Sequence, residues 1–167
     1  MDNNKIYFAK MKEEAIIPSK RSEDGAFDIY ACFEEDYRVI RPQETVIIPT
    51  GLASAFSPMY VAILKERGST GTKGMGQRAG VIDSGYRGEW LIPITNLNAK
   101  PIIIAKEGYV LEDIYQNQDV IIYPYEKAIC QCMMVEVPQL TTEEMSYEEL
   151  LKFESERGTG RLGSSGK

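Results

Sequence analysis

The sequence predicts an all-β domain, either a sandwich or a barrel. Short apolar or alternating runs recur along the chain, which is the pattern of strands with one buried face. Prolines and turn-forming residues separate these runs, at places where a central strand could not tolerate them. The chain has 167 residues, of which 43% are hydrophobic and 26% charged, and this composition suits one globular domain with a real core.

Ten runs rich in β-branched and aromatic residues are predicted to be strands. In order along the chain they cover residues 6–8, 27–32, 37–40, 45–48, 52–56, 60–64, 90–96, 102–105, 120–123 and 128–137. The one helical signal covers residues 146–153, where Ser146 and Glu149 have the spacing of a capping box.

The last eleven residues, 157–167, are rich in glycine and serine and nearly devoid of core-forming side chains. Such a segment should be mobile when nothing is bound. We therefore divide the chain into a β domain over residues 1–156 and a C-terminal arm over residues 157–167. The arm is either a disordered terminus or a phosphate-wrapping segment, since its glycines, hydroxyls and arginines suit phosphate oxygens.

Charge and composition exclude several classes of protein. The net charge of −6 should repel nucleic acid. No run approaches the roughly 20 apolar residues of a membrane span, so we expect a soluble protein. The absence of histidine removes Ser-His and Cys-His nucleophile pairs and the usual mixed zinc sites. Any catalysis must then use carboxylates, backbone dipoles, cationic side chains or a metal held by oxygens.

The three cysteines indicate a reducing compartment. An odd number of cysteines without a signal peptide fits the cytoplasm. Cys130 and Cys132 are two residues apart within an apolar run, so they face the same side of a strand. Core filling explains them better than a metal site, which would need more ligands.

Residues 80–90 are the most informative run, and they predict a tight β-hairpin. Val81 and Ile82 favour a strand, Ser84 and Gly85 favour a turn, and the apolar pattern resumes at Glu89. Such a tip can hold Asp83 and Tyr86 beside a flat ligand while its backbone groups contact that ligand. An ordinary turn with a solvated aspartate is the alternative.

A polar loop over residues 66–77 carries cationic and hydroxyl donors between glycines, among them Arg67, Ser69 and Lys73. It is not a Walker A motif, because glycine follows the lysine. A flexible surface turn is possible here. Together with the basic arm, the loop nevertheless indicates a compact anionic ligand such as a phosphate.

Five segments, taken in order, resemble the motifs of the trimeric dUTPase family. The resemblance implies a distorted jelly-roll fold with one short helix and a flexible arm. It also implies hydrolysis of dUTP to dUMP and pyrophosphate, with Mg²⁺ as cofactor, by a homotrimer whose chains share active sites. In the first motif, residues 24–31, Asp28 matches an aspartate that holds waters around the magnesium-bound triphosphate. In the second, residues 66–69, Arg67 matches a phosphate-contacting arginine, and either the Gly68 amide or the Ser69 hydroxyl contacts phosphate.

The third motif is the 80–90 run. By resemblance, Asp83 is the catalytic aspartate that bonds the sugar 3'-hydroxyl and activates the attacking water. Tyr86 packs under deoxyribose and leaves no room for a 2'-hydroxyl. The resemblance further implies that main-chain groups at Gly80, Val81 and Ile82 recognise uracil. Gln77 stands where the family often has an asparagine near the base.

The fourth and fifth motifs complete the match. Gln131, within residues 127–131, takes the position of the family's glutamine, while Ala128 replaces the usual arginine. In the arm, Arg157 matches an arginine that contacts the γ-phosphate. Leu162 replaces the family's aromatic lid over uracil. The phosphate-wrapping turn is matched by Gly163, Ser164 and Ser165.

The expected function is therefore that of a cytoplasmic dUTP diphosphatase that acts in nucleotide metabolism and excludes uracil from DNA. A dCTP deaminase-like enzyme of the same fold is one alternative. A nucleotide-sensing regulatory protein with a protein partner is the other, since Gly68, Ala128 and Leu162 depart from the family pattern.

Overall fold

The computed structural model describes residues 2–116 and 118–160. This part of the chain forms twelve strands and three helices of four residues each. In chain order the elements are β1 (Ile6–Lys10), β2 (Phe27–Ile29), β3 (Tyr37–Ile40), β4 (Thr45–Pro49), β5 (Leu52–Phe56), β6 (Tyr60–Lys65), α1 (Gly68–Gly71), β7 (Met75–Gln77), β8 (Val81–Ile82), β9 (Leu91–Asn96), β10 (Ile102–Ala105), α2 (Asp113–Gln116), β11 (Ile121–Pro124), β12 (Cys130–Glu136) and α3 (Tyr147–Leu150).

The strands form four small sheets, with the orders β1-β5, β11-β10-β3, β2-β12-β6-β8 and β4-β9-β7. Within the described residues every pairing is antiparallel except that of β10 with β11. The prediction of an all-β domain is confirmed. The sheet β2-β12-β6-β8 is the one that positions the site described below.

The sheets share one apolar core. Trp90 and Tyr123 are its largest fully buried side chains, and isoleucines from several strands pack around them. The Trp90 indole N–H donates to the Ser54 hydroxyl at 3.0 Å, so this buried ring leaves no polar atom unpaired. Cys130 and Cys132 face the same core on β12, and both are buried, as the sequence predicted. Burial raises the pKa of both thiols, that of Cys132 to about 12.

The predicted hairpin over residues 80–90 is wrong in its pairing. β8 pairs with β6, with Val81 opposite Ile63, whereas β9 pairs with β4 and β7. The two arms therefore belong to different sheets, and residues 83–90 form a loop between them. The turn itself is present, because the Tyr86 N–H donates to the Asp83 carbonyl at 3.0 Å. Pairing partners far along the chain decide such a case, and local sequence does not specify them.

Helix content also differs from the prediction of one short helix. α3 begins at the predicted cap, where the Ser146 hydroxyl accepts from the Glu149 N–H at 3.2 Å. α1 and β7 both lie inside the segment predicted as a polar loop, and α2 adds a third turn of helix. The sequence of α1 is Gly-Ser-Thr-Gly, whose residues have low helix propensity, and the turn is capped locally by the Thr70 hydroxyl, which accepts from the Arg67 N–H.

The C-terminal part of the described chain lies outside the core. Residues 135–159 are all exposed, and they include Leu140 at 85% and Phe153 at 64% of their full accessibility. The division into residues 1–156 and 157–167 stays a prediction. Among the described residues, no helix has the length and apolar character needed to cross a membrane.

Candidate active site

A polar cleft of about 830 Å³ lies beside the sheet β2-β12-β6, next to Arg67. Its lining comes from three parts of the chain: the loop before β2 with β2 itself, the start of α1, and β12. The lining residues are Ser19, Lys20, Arg21, Glu23, Asp24, Gly25, Ala26, Asp28, Arg67, Gly68, Ser69 and Gln131. Three of the five predicted motifs therefore meet in one cleft within a single chain.

Strand register brings these motifs together. Asp28 on β2 lies opposite Gln131 on β12, and Gln131 lies opposite Lys65 at the end of β6. Two residues beyond Lys65, the guanidinium of Arg67 forms a two-point ion pair with the Asp28 carboxylate. The Nε–Oδ1 distance is 2.8 Å and the Nη2–Oδ2 distance is 3.2 Å. Both side chains are about one-third exposed, so the pair is reachable from the cleft.

The turn of α1 fixes the backbone on either side of Arg67. Thr70 is fully buried, and its hydroxyl accepts from the Arg67 N–H at 2.9 Å. The Ser69 hydroxyl lies 3.4 Å from the Arg67 guanidinium and accepts from it. No atom lies within 4 Å of the position that a Cβ would take on Gly68. Gly68 and Ser69 thus both face open space, and the choice between their amide and hydroxyl stays a prediction.

Gln131 is held by Glu66, a residue to which the sequence assigned no role. The Gln131 amide donates to the Glu66 carbonyl at 2.8 Å. The Glu66 carboxylate in turn accepts from the Gln77 N–H at 2.9 Å. Glu66 therefore connects two predicted ligand-binding residues, and its position directly before Arg67 was the only signal in the sequence that could have indicated this.

The second group of predicted residues lies on the 83–90 loop, outside the lining of that cleft. Asp83 and Tyr86 are both exposed, and the Tyr86 hydroxyl donates to the Glu89 carbonyl at 3.0 Å. Two residues that the sequence did not single out hold this loop in place. Arg87 donates to the carbonyls of Ser84 at 2.6 Å, Tyr86 at 3.1 Å and Ser54 at 3.2 Å. The Glu89 carboxylate accepts from the Gly51 N–H at 2.7 Å.

Gly80 must be glycine where the chain enters β8. Its φ of +102° lies in the left-handed region, and a Cβ there would come within 3.0 Å of the Leu64 carbonyl. The Gly80 carbonyl accepts from the Leu64 N–H at 2.7 Å, which holds the segment against β6. Val81 and Ile82 then follow on an edge strand. Val81 is 63% exposed, so the main chain here is accessible to a ligand.

The two groups stand far apart within one chain. β8 runs antiparallel to β6, and continuing its register places Asp83 beside Val61. Arg67 lies six residues further along than Val61, a reach of at most about 20 Å for an extended chain. Within one chain, neither Asp83 nor Tyr86 lines the Arg67 cleft.

Of the arm residues predicted to bind the nucleotide, Arg157 lies within the described residues, and its Nε donates to the Gly160 carbonyl at 3.1 Å. Leu162, Gly163, Ser164 and Ser165 lie outside the described residues. Gln77 lies at the end of β7, and its side-chain amide donates to the Arg78 carbonyl.

Fold and cleft together define a small β protein with a polar, arginine-containing cleft suited to an anionic ligand. Comparison with known proteins specifies this class further. The dUTPase family model matches residues 12–110. A deoxyuridine 5'-triphosphate nucleotidohydrolase from Neisseria meningitidis serogroup C is 32% identical over 155 residues, which is 90% of this chain and 87% of that protein. The protein of the same name from Bordetella pertussis is 30% identical over 98% of this chain and 95% of its own length.

Solved structures of dUTPases share the fold. The dUTPase of Staphylococcus bacteriophage 80alpha with dUpNHpp superposes with a TM-score of 0.70 at 23% identity, over 98% of this chain and 99% of that one. A mutant dUTPase of Staphylococcus aureus phage phi11, in which a structural Mg(II) ion is coordinated, gives a TM-score of 0.66 at 23% identity, over 87% and 99% of the two chains. The chain belongs to the dUTPase family. The predicted jelly-roll-like β fold is confirmed.

Proposed function

We propose that this protein is a dUTP diphosphatase, which hydrolyses dUTP to dUMP and pyrophosphate and so keeps uracil out of DNA. One observation carries the proposal: within a member of the dUTPase family, the Asp28–Arg67 ion pair, Ser69 and Gln131 meet in one open cleft. An arginine fork suits phosphate oxygens because it offers paired donors in one plane.

The enzyme acts as a homotrimer with shared active sites. The separation of Arg67 from Asp83 within one chain supports this, since Asp83 does not line the Arg67 cleft and the two regions would otherwise act on different molecules. A cyclic trimer places the loop of one chain next to the cleft of another and repeats the contact three times.

Asp83 acts as the general base. Its exposed carboxylate can accept a proton from a water that attacks the α-phosphorus. It also accepts a hydrogen bond from the 3'-hydroxyl of deoxyribose. Tyr86 packs against the sugar and excludes ribose, because a 2'-hydroxyl would collide with its ring.

The base and the phosphates are bound by different groups. Main-chain groups from Gly80 to Ile82 recognise uracil, with Gln77 close to the base. Arg67, Gly68 or Ser69, and Gln131 bind the phosphates on the cleft side, and Arg157 binds the γ-phosphate from the arm. The electrostatic contribution of these donors is large, because they are positioned before the reaction begins.

Magnesium fits the cleft as an ion held mainly by substrate phosphates and water. The described residues contain no cluster of three or more His, Cys, Asp or Glu side chains that could hold a metal by itself. Mg²⁺ commonly keeps several waters and binds through one or two carboxylates plus phosphate oxygens, and Asp28 would contact those waters. When bound, the ion would neutralise the triphosphate and the pyrophosphate leaving group.

The arm is proposed to cover the nucleotide, with Leu162 over the base and Gly163, Ser164 and Ser165 around the phosphates. Deleting residues 157–167 should then leave a folded protein with little activity, because the described C-terminal residues contribute nothing to the core. Gel filtration and a pyrophosphate assay on the truncated chain would check this, and full activity without the arm would contradict it.

A substrate panel tests the function as a whole. Purified protein with Mg²⁺ should release pyrophosphate from dUTP and leave dTTP, dCTP and UTP nearly untouched. Ammonia from dCTP without pyrophosphate from dUTP would indicate the deaminase alternative, and no turnover with intact nucleotide binding would indicate the regulatory one. Family membership favours neither alternative. A cytoplasmic location is part of the proposal, supported by three unpaired cysteines, and cell fractionation would test it.

A further inference from the structure

The wall of the cleft that faces Arg67 is a short, tightly closed loop, residues 19–28, to which the proposed mechanism gives only one role, that of Asp28. The Asp28 N–H donates to the Ser19 carbonyl at 3.3 Å and closes the loop at its base. Within it, the Asp24 N–H donates to the Arg21 carbonyl at 3.2 Å. Loop residues from Ser19 to Asp28 and the Arg67 segment line the same cleft.

Lys20 is held at this wall by carbonyl groups and an aromatic ring, without an ion pair among the described residues. Its ammonium group donates to the Asp24 carbonyl at 2.7 Å and lies 5.7 Å from the centre of the Phe27 ring. In the described part of the chain, no carboxylate lies within ion-pair distance of it. The Arg21 and Asp24 carbonyls and the ring of Phe27, the residue before Asp28, thus hold the cation at the cleft wall.

Arg21 is paired in a way that a stronger anion can replace. Its guanidinium forms a two-point contact with Asp24, at 2.9 Å from Nε to Oδ2 and 2.9 Å from Nη2 to Oδ1. This contact lowers the pKa of the Asp24 carboxyl. The Arg21 side chain is 85% exposed, and exposed ion pairs contribute little to stability, so a phosphate can take over the arginine at small cost.

Charge balance explains why the cleft needs these cations. Three cations line it, Lys20, Arg21 and Arg67, and so do three carboxylates, Glu23, Asp24 and Asp28. Arg67 shares its fork with Asp28, so its positive charge is largely balanced before any ligand arrives. A triphosphate carries several negative charges, so cations at the cleft wall favour its binding beside the charge that Mg²⁺ and Arg157 are proposed to supply.

We propose that Lys20 and Arg21 bind the terminal phosphates of the nucleotide, with Arg21 released from Asp24 when the phosphates enter. This inference rests on the proposed function and names a further binding surface for the pyrophosphate end of the substrate. Lys20 contacts the phosphates directly. Asp24 acts as a positioning residue, because in the empty cleft it holds the Arg21 fork at the rim.

Binding measurements with three probes separate this role from a general effect of charge. The probes are inorganic pyrophosphate, dUMP and dUpNHpp, each titrated by calorimetry in the presence of Mg²⁺. Lys20→Gln and Arg21→Gln should each weaken binding of pyrophosphate and dUpNHpp about five- to tenfold. Binding of dUMP, which lacks the terminal phosphates, should be unchanged in both variants.

Asp24→Asn should change affinity in the opposite direction. The amide oxygen can still accept from the Arg21 main-chain N–H, as the carboxylate does at 3.2 Å, so the loop keeps its shape. The negative charge that competes with phosphate for the Arg21 guanidinium is removed. Pyrophosphate should then bind about two- to threefold more tightly. If the loop contributed to binding only through its shape, Asp24→Asn would not increase the affinity for pyrophosphate. Arg41→Gln is the matched control, because Arg41 forms a similar exposed pair with Glu44 away from the cleft.

Three results would overturn the inference. The first is unchanged affinity for pyrophosphate in both Lys20→Gln and Arg21→Gln. The second is a loss of dUMP affinity in these variants as large as their loss of pyrophosphate affinity. The third is weaker rather than tighter binding of pyrophosphate by Asp24→Asn. Failure of the proposed function looks different, because the unmodified protein itself would then fail to hydrolyse dUTP. An active parent protein with unaffected variants would refute the role of Lys20 and Arg21 alone.

Discussion

The Arg67 cleft and the 83–90 loop differ in how each holds its functional residues. In the cleft, side chains from distant segments bond to one another, as Arg67 does to Asp28 and Gln131 does to Glu66. On the loop, the side chains of Asp83 and Tyr86 are exposed. The hydrogen bonds there are to groups of the loop itself and its base, such as the bond from the Tyr86 hydroxyl to the Glu89 carbonyl. A single chain thus brings the candidate phosphate-binding residues together, whereas the proposed catalytic base lies apart from them on an exposed loop.

Mixing two inactive variants is the strongest way to break this comparison. Asp83→Asn should lower kcat by about 10²- to 10⁴-fold, because the general base is lost. Arg67→Gln should abolish activity through lost phosphate binding. If each site takes Arg67 from one chain and Asp83 from another, random trimers of the two variants contain intact sites. About a quarter of the sites should be intact at equal expression, since each of two independent positions is correct half the time.

Co-expression with two affinity tags would isolate the mixed trimers, in which about a third of the sites, one in each trimer, should be intact, and a pyrophosphate assay would measure the recovered activity. Each variant expressed alone is the background. Recovery at the level of that background would mean that both residues serve a site within one chain, or that the protein does not assemble through these surfaces.

Replacing Arg87 should affect the loop and leave the cleft unchanged. In Arg87→Gln the three carbonyl contacts that hold the turn are lost, so Asp83 is less well positioned for the attacking water. We expect kcat to fall about tenfold, while pyrophosphate affinity stays the same. Steady-state kinetics and pyrophosphate calorimetry on the same preparation would show the split.

Arg41→Gln serves as the control here as well, because it removes an exposed arginine that touches neither region. If Arg87→Gln lowered the affinity for pyrophosphate as much as it lowers kcat, the loop and the cleft of one chain would be coupled. Unchanged kcat would mean that Arg87 does not position Asp83.

The sequence predicted the strands well where a strand is a local property. The predicted bounds 37–40, 52–56 and 102–105 coincide with β3, β5 and β10, because β-branched runs between turn residues specify a strand by themselves. Val81 and Ile82 show the limit. Their strand character was correctly recognised, but their partner was β6 rather than the following run, and pairing depends on residues far away in the chain.

In the site too, the sequence indicated individual residues but not the contacts between distant segments. Resemblance indicated Asp28, Arg67 and Gln131 one by one, yet it did not indicate that Arg67 is paired with Asp28, 39 residues away. Lys20 and Arg21 carried no recognisable motif, and only the folded loop places them on the cleft wall. Contacts between segments that are distant in sequence follow from packing, so no periodicity in the sequence reveals them.

Stability at high pH tests whether the core side of β12 excludes water, as the burial of Cys132 indicates. Burial raises the pKa of Cys132 to about 12, from an ordinary value of 9.0. Above pH 9 the unfolded chain loses this proton while the folded chain keeps it, so the free energy of unfolding falls as pH rises towards 12. The slope from this one thiol is about 1.4 kcal/mol per pH unit. Below pH 9 the thiol contributes no pH dependence.

Because lysines and tyrosines titrate in the same range, the informative quantity is the difference between variants. Cys132→Ala and Cys132→Val lack the proton but differ in volume, so both should show a shallower fall than the parent protein, whatever their stability at pH 8. Urea unfolding at several pH values between 8 and 11 would measure the three slopes. Equal slopes in all three proteins would mean that water reaches the Cys132 thiol on the core side of β12.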